Sequence, residues 1–435
     1  MKAFVFEPAR CTGCEACRVA CSIENRLPLD QAWRSVHHAN PEHLPGVPAL
    51  HLSLACNHCE RPACLEGCPA LAYSRDAATG AVLLDGDRCI GCRYCSWMCP
   101  YDAPVFDPRQ GLMSKCTFCH SRQVEGRAPA CAAACPTGAL GVEERGELPE
   151  PVFPGLPNRG LGPALRIVDS CPPPLQGGHA PSAEGLAWMG RPESPGPRIS
   201  LRTEWSLLAF TLLLPLLAGA QLASTLTGRA VLPAFAVLAL GGLAGGLSLL
   251  HLGRPLRAWR ALSNLGSSWL SREILAFSIF VPLATAAAWT GAGGIYLATS
   301  LAGLLLLFCV DRVYQRAEGR PPWPIRSAEA LPAGLFLAGI LAGNPVLVWA
   351  MATLRLLLFL RPRSIPAGAA AALRVAALLL PCLGPSPTWA LLLVVLAGEL
   401  VDRRAFYLGL DLPEPGALVD GALLRAYPPA AGDPA

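Results

Sequence analysis

Long apolar runs are confined to the second half of the chain. From about Trp205 to Leu400 it is rich in Leu, Ala and Gly, with charges gathered mostly into short breaks. A bilayer core takes about 20 predominantly apolar residues per helix. The runs predict eight spans, at roughly 205–226, 231–252, 273–291, 295–311, 328–343, 345–360, 366–383 and 387–402. The fifth and sixth are short and divided only by Gly343-Asn344-Pro345, a turn signal that favours two spans over one broken helix. The run Gly241-Gly242-Leu243-Ala244-Gly245-Gly246 suits close helix-helix approach inside a bundle. Residues 1–145 form a separate domain by composition, and residues 411–435 read as a polar C-terminal tail. Residues 146–200 carry twelve prolines and little hydrophobic periodicity, and read as a connector.

At 435 residues there is room for two or three domains. The mean hydropathy of +0.39 and the 15% share of charged residues are averages over these unlike halves. A net charge of +4 is mild, and no basic-aromatic patch points to nucleic acid. The arginines lie beside the apolar runs. Breaks after the even-numbered spans hold Arg254, Arg257, Arg260 and Arg272, then Arg312, Arg316, Arg320 and Arg326, then Arg361 and Arg363, with Arg403 and Arg404 after the last. The other side shows Arg229 alone. The positive-inside bias makes the arginine-rich side cytoplasmic, and the first domain should lie there too, in an inner-membrane protein. Met1 to Arg10 show no signal-peptide pattern, which agrees.

Sixteen of the nineteen cysteines fall between Cys11 and Cys135, in four groups of four. The groups are Cys11, Cys14, Cys17 and Cys21; Cys56, Cys59, Cys64 and Cys68; Cys89, Cys92, Cys95 and Cys99; and Cys116, Cys119, Cys131 and Cys135. Groups one and three have the spacing C-x2-C-x2-C-x3-C, and the last three groups end in Cys-Pro. That is the bacterial ferredoxin run, in which three cysteines hold one iron-sulfur cube and the fourth reaches a neighbouring one. Sixteen thiolates at four per cube predict four [4Fe-4S] clusters, and hence an electron wire. Structural zinc uses paired knuckles, not three cysteines at consecutive x2 intervals. Disulfides suit a small secreted scaffold. Cys309 and Cys382 read as packing residues, and Cys171 precedes a proline triplet.

The membrane half contains a single histidine, His251. Bis-histidine haem needs two per haem, so no haem is expected and electrons should pass directly between a cluster and a quinone. Quinone chemistry couples electrons to protons. His251 closes the second span and Glu273 opens the third, both on the arginine-rich side. Ionisable groups at such boundaries are candidates for proton transfer. A snorkelling histidine and a helix-starting glutamate explain them equally well. Arg355, Arg374, Glu399 and Asp402 are also candidates, and a buried ion pair holding helices together accounts for them as readily.

The stretches Cys89-Ile90-Gly91-Cys92-Arg93-Tyr94-Cys95 and Cys99-Pro100-Tyr101 resemble the four-cluster subunit of DMSO reductase and related complex iron-sulfur molybdoenzymes. Residues 250–274, from Leu-His-Leu-Gly-Arg-Pro to Ser-Arg-Glu-Ile, resemble the DMSO reductase anchor, as do Gly398-Glu399-Leu400, Arg404, Phe406 and Tyr407. The two are usually separate chains. The resemblance implies an α+β ferredoxin-like domain with four [4Fe-4S] clusters, followed by an all-α transmembrane bundle of about eight helices. It implies group one paired with four and two with three, giving four ligand sets. These are Cys11, Cys14, Cys17, Cys135; Cys21, Cys116, Cys119, Cys131; Cys56, Cys59, Cys64, Cys99; and Cys68, Cys89, Cys92, Cys95. Ser22, where the other groups have proline, should matter little. The resemblance also implies a menaquinone or ubiquinone site at His251 and Glu273, and a separate molybdopterin subunit that carries the substrate site. The chain would then be a non-catalytic subunit serving an S-oxide or sulfur-compound reductase. The alternatives are a cytoplasm-facing sulfite or sulfur-compound dehydrogenase that reduces quinone, and the electron-transfer subunit of a membrane hydrogenase or formate dehydrogenase.

Overall fold

In a computed structural model the described residues are 1–39, 50–146, 153, 156–157, 159–168, 201–319, 325–360, 369–382, 389–408, 410, 412 and 415–426. Cys171 lies outside them, as does most of the connector after residue 168. The chain divides into two compact units, Met1–Gly196 with Leu412–Ala435, and Pro197–Asp411.

The first unit is built from short elements around the cysteines. Strand β1 (Lys2–Phe6) pairs antiparallel with β8 (Leu140–Glu144), which brings the two ends of the cysteine region together. Three hairpins complete the strand set: β2–β3 (Ser35–Ala39, Leu50–Leu54), β4–β5 (Tyr73–Arg75, Val82–Leu84) and β6–β7 (Val105–Asp107, Leu112–Ser114). Phe4 and Phe6 share one face of β1 and bury beside Leu52, Phe118 and Leu140. Each such side chain contributes roughly 1.5–3 kcal/mol by leaving water.

Two segments outside the cysteine region join this core. The connector supplies β9 (Leu165–Ile167), parallel to the free edge of β1, where Phe4 N–H donates to Ala164 O at 2.9 Å. An open strand edge is a row of unpaired donors and acceptors, which explains why an otherwise irregular segment forms a strand here. The second segment lies within residues 411–435. Pro415–Ala426 form a helix whose Val419 is fully buried in this core, with Asp420 Oδ1 3.0 Å from His37 Nε2.

Each cysteine group carries a short helix. These are α1 (Ala16–Glu24), α2 (Ala63–Gly67), α3 (Tyr94–Met98) and, in the fourth group, α4 (His120–Val124) and α5 (Ala130–Ala133). Helix α1 packs on α5, and α2 packs on α3. Ser22 does matter. The helices α2, α3 and α5 stop at or just before the last cysteine of the group, because a residue preceding proline is driven out of helical geometry. With Ser22 in that place, α1 runs on to Glu24.

The second unit is helical. Its elements are α6 (Leu201–Thr227), α7 (Ala234–Leu250), α8 (Trp269–Thr290), α9 (Gly293–Ala317), α10 (Ala330–Ala342), α11 (Pro345–Phe359), α12 (Ala369–Leu379) and α13 (Trp389–Leu408). Among the described residues, three helices are long and apolar enough to cross a membrane: 204–227, 269–290 and 293–317. A fourth is reached only by counting α7 with the 3-10 stretch Pro255–Leu262, which bends away by 103°. Helices α10, α11 and residues 370–382 are apolar but shorter than a full span. Gly343 (φ +63°) ends α10, and the Asn344 side chain caps α11 by accepting from Leu347 N–H at 3.1 Å, so these are two helices. Gly241 permits close approach of α7 to α8: a Cβ there would come within 2.5 Å of Val281 Cγ1.

Candidate metal centres

The four cysteine groups repeat one backbone device. The residue just before the second cysteine is left-handed in every group: Gly13 (φ +69°), His58 (+42°), Gly91 (+69°) and Phe118 (+61°). A left-handed residue here turns the chain so that backbone N–H groups face the sulfurs. Gly91 N–H donates to Cys89 Sγ at 3.4 Å and Phe118 N–H to Cys116 Sγ at 3.3 Å. Ala72 N–H reaches Cys68 Sγ at 3.4 Å in the same way, from beyond the cysteine. Such bonds set the potential of a cluster held by those sulfurs.

The groups meet in pairs. Cys11, Cys14, Cys17 and Cys135 line one small cavity, and Cys14 is the exposed member of the sixteen. Cys56, Cys59, Cys64 and Cys99 line another. The other thiols act on one another electrostatically across the groups. Burial and then the charge of Cys131 push the Cys21 thiol up to about 12, with Cys119 acting in the same sense. Cys116 is raised by burial and then by Cys56, Cys21 and Cys131. Cys95 is raised by burial and then by Cys92, with Cys68 and Cys89 adding to it. Thiol charges also act from set to set, Cys17 on Cys21 and Cys56 on Cys116.

Would an iron-sulfur cube fit? The donors are all soft thiolates, four to a set, with N–H groups on their sulfurs. Among the described residues no three His, Cys, Asp or Glu side chains close on a single ion. Two buried cations lie beside them. Lys115 Nζ donates to Val82 O and, at 2.8 Å, to Cys116 O. Burial opposes its charge, but Cys56, Cys64 and Cys116 outweigh that and hold its pKa above the usual value. Arg34 is held up in the same way against burial, by Cys131, Cys116, Cys17 and Cys21. No spacing rule in the sequence marks either residue; both were missed. Such cations would also compensate an anionic metal centre held by these thiolates.

In the helical unit, His251 caps the C-terminus of α7 and is half-buried, while Glu273 is buried in the first turns of α8. The 3-10 stretch between them packs on both helices. The charge that acts on Glu273 is Asp311 of α9, a residue the apolar pattern did not single out. Asp311 also accepts from Ala330 and Leu331 N–H, at 2.5 and 2.9 Å, and so caps α10. Arg355, Arg374, Glu399 and Asp402 form one buried ionic cluster. Arg374 reaches Glu399 at 3.1 Å and Asp402 at 2.6 Å, and Arg355 forks onto Glu399. This ties α11, α12 and α13 together, the structural role allowed for them above.

Comparison with known proteins agrees with both halves. Residues 47–145 match the 4Fe-4S dicluster domain, and residues 202–356 match the DMSO reductase anchor subunit (DmsC). Over 146 residues the sequence is 39% identical to one of the chains of the anaerobic dimethyl sulfoxide reductase of Haemophilus influenzae, covering 32% of this chain and 71% of that protein. It is also 39% identical over 135 residues to the thiosulfate reductase electron transfer subunit PhsB of Salmonella typhi, covering 30% of this chain and 69% of the relative. A tetrathionate reductase subunit of Salmonella typhimurium is 38% identical over 140 residues, 32% of this chain and 55% of its own length. A 4Fe-4S domain and a helical anchor thus stand here in one polypeptide, and this protein belongs to the family of dimethyl sulfoxide reductase iron-sulfur subunits, fused to a DMSO reductase-type anchor.

Proposed function

We propose that the chain carries electrons between the membrane quinone pool and a separate molybdopterin subunit, through four [4Fe-4S] clusters held by the cysteine sets described above. The observation that carries this reading is that distant cysteine groups line common cavities, Cys11, Cys14 and Cys17 with Cys135 and Cys56, Cys59 and Cys64 with Cys99, while thiol charges act between neighbouring groups. Bound cubes would supply one-electron carriers. The chain's own residues would hold them close to one another, bury them and direct N–H groups at their sulfurs. At the membrane end His251 and Glu273 would exchange the protons of the quinone/quinol couple, with Asp311 as the acidic neighbour of Glu273. Substrate chemistry belongs to the partner, of the S-oxide, thiosulfate or tetrathionate type in the relatives' names.

A second reading reverses the flow. The arginine-rich breaks favour a cytoplasmic cluster domain in an eight-span inner-membrane protein. A sulfur-compound dehydrogenase on that side would feed electrons to quinone through the same clusters.

Iron analysis of the purified protein should give about sixteen irons per chain; about four, with zinc present, defeats the cluster assignment. His251→Ala and Glu273→Gln should each stop quinol from reducing the clusters while leaving iron content intact. Normal reduction rates in both would place the quinone site elsewhere. Protease added to sealed spheroplasts should spare the cluster domain; rapid cleavage overturns the cytoplasmic orientation.

A further inference from the structure

Arg34 has no part in holding a cluster, yet it is only 2% exposed. A guanidinium stays charged at any physiological pH. Its Nη1 donates to Ser53 Oγ at 3.0 Å, and its carbon lies 4.6 Å from the centre of the Phe4 ring. Ser53 Oγ stands 3.4 Å from Cys17 Sγ. Once Cys17 is a cluster-bound thiolate its sulfur can only accept, so the Ser53 hydroxyl, anchored by Arg34, would be the donor. Two further nitrogens, Nε and Nη2, are buried without a hydrogen-bond partner among the described residues. An uncompensated buried charge costs several kcal/mol. The anions acting on Arg34 are thiolates: Cys131, Cys116 and Cys21 of one set, and Cys17 of the next.

We propose that Arg34 sets the reduction potentials of two adjoining clusters, one bound through Cys17 and one through Cys21, Cys116 and Cys131. It does so by its fixed charge beside both and by orienting the Ser53 hydroxyl onto Cys17. The inference rests on the cluster assignment proposed above. Reduction adds one electron to a cube that is already anionic, with no proton taken up. A cation held nearby stabilises the reduced form, and a hydrogen bond to a ligand sulfur acts in the same direction. Arg34 is therefore a positioning residue for the electron, making these two clusters better acceptors than they would otherwise be.

The test is an EPR-monitored redox titration of the full-length detergent-solubilised protein, with signals assigned by Cys11→Ser and Cys119→Ser variants. Iron content is measured first. Wild type without four clusters would defeat the cluster assignment itself, before any variant is compared. Arg34→Gln and Arg34→Met, with iron retained, should shift the reduced-to-oxidised ratio of the two clusters at least tenfold toward oxidised. Tenfold is about 59 mV for one electron. Arg34→Lys should restore most of it, and Ser53→Ala should lower only the cluster of Cys17. The other two clusters should hold their midpoints. Unchanged midpoints in Arg34→Gln, an Arg34→Lys shift as large as that of Arg34→Met, or an equal fall in all four clusters would each overturn the proposal. If neither neutral variant retains iron, Ser53→Ala decides: no fall at the Cys17 cluster overturns it.

Discussion

The His58 ring lies flat on that of Phe118, with centres 4.8 Å apart and planes 14° from parallel. The two residues hold the same place in groups two and four, each just before the second cysteine and each left-handed. A left-handed backbone costs roughly 1–2 kcal/mol for a residue with a side chain. Burial of the two stacked rings offsets it. Phe118 is fully buried, and His58 Nδ1 accepts from Val82 N–H at 2.9 Å. That bond makes Nδ1 the unprotonated nitrogen, and burial, then the charges of Lys115, Arg75 and Arg34, hold the His58 pKa well below its usual value.

Phe118→Gly would relieve the backbone while emptying the core. Loss of a buried Phe costs about 3–5 kcal/mol, so the variant should lose about 1–4 kcal/mol net, read as a lower denaturation midpoint. The equivalent Gly91→Ala adds backbone strain at φ +69° and should cost about 1–2 kcal/mol. If Phe118→Gly is neutral, the stack does not stabilise the fold.

Ser22→Pro installs the residue the other three groups have, and should nevertheless be harmful. Here it falls inside α1, which continues to Glu24. Proline in a helix interior costs about 3 kcal/mol. The lost turn anchors Asn25 Nδ2 to Cys21 O at 2.8 Å and Arg122 to Glu24 at 2.9 Å. Cluster loss from the Cys21 set on mild denaturation, followed by iron release, is the measurement.

The pair Arg355–Glu399 sits in the helical unit with both side chains buried. Arg355→Ala leaves Glu399 with Arg374 as its one guanidinium partner and strips one cation from a four-member cluster, at an expected cost of about 3–5 kcal/mol. The double change Arg355→Met with Glu399→Leu removes a charge of each sign and should be milder than either single change. Thermal unfolding in detergent ranks the three; a single change as mild as the double one would show the cluster to be dispensable.

Without iron the Cys21 thiol, pushed up to about 12 by burial and Cys131, is protonated at neutral pH. Iron loading must therefore release protons, and reconstitution should quicken as pH rises. A raised folded pKa favours the apo fold below the ordinary thiol value of 9.0 and loses that contribution as pH climbs toward about 12. A pH indicator in weak buffer during reconstitution checks the first part, and apo-protein denaturation across that window the second.

Much of this protein could be read from spacing. A cluster-binding loop needs its cysteines two and three residues apart, and a bilayer helix needs a continuous apolar run; both are local demands, written in consecutive residues. The division of the cysteines into four groups, the anchor character of the second half and the turn at Gly343-Asn344-Pro345 followed from that. Pairing of distant groups could not, since Cys11 meets Cys135 only because β1 closes on β8. Burial of Arg34 and Lys115 among thiols, the nearness of Asp311 to Glu273 and the packing of Val419 into the cluster domain's core depend on the same long-range closure. A charge or a methyl group far along the chain carries no periodic mark of what it will touch. Only folding brings it there.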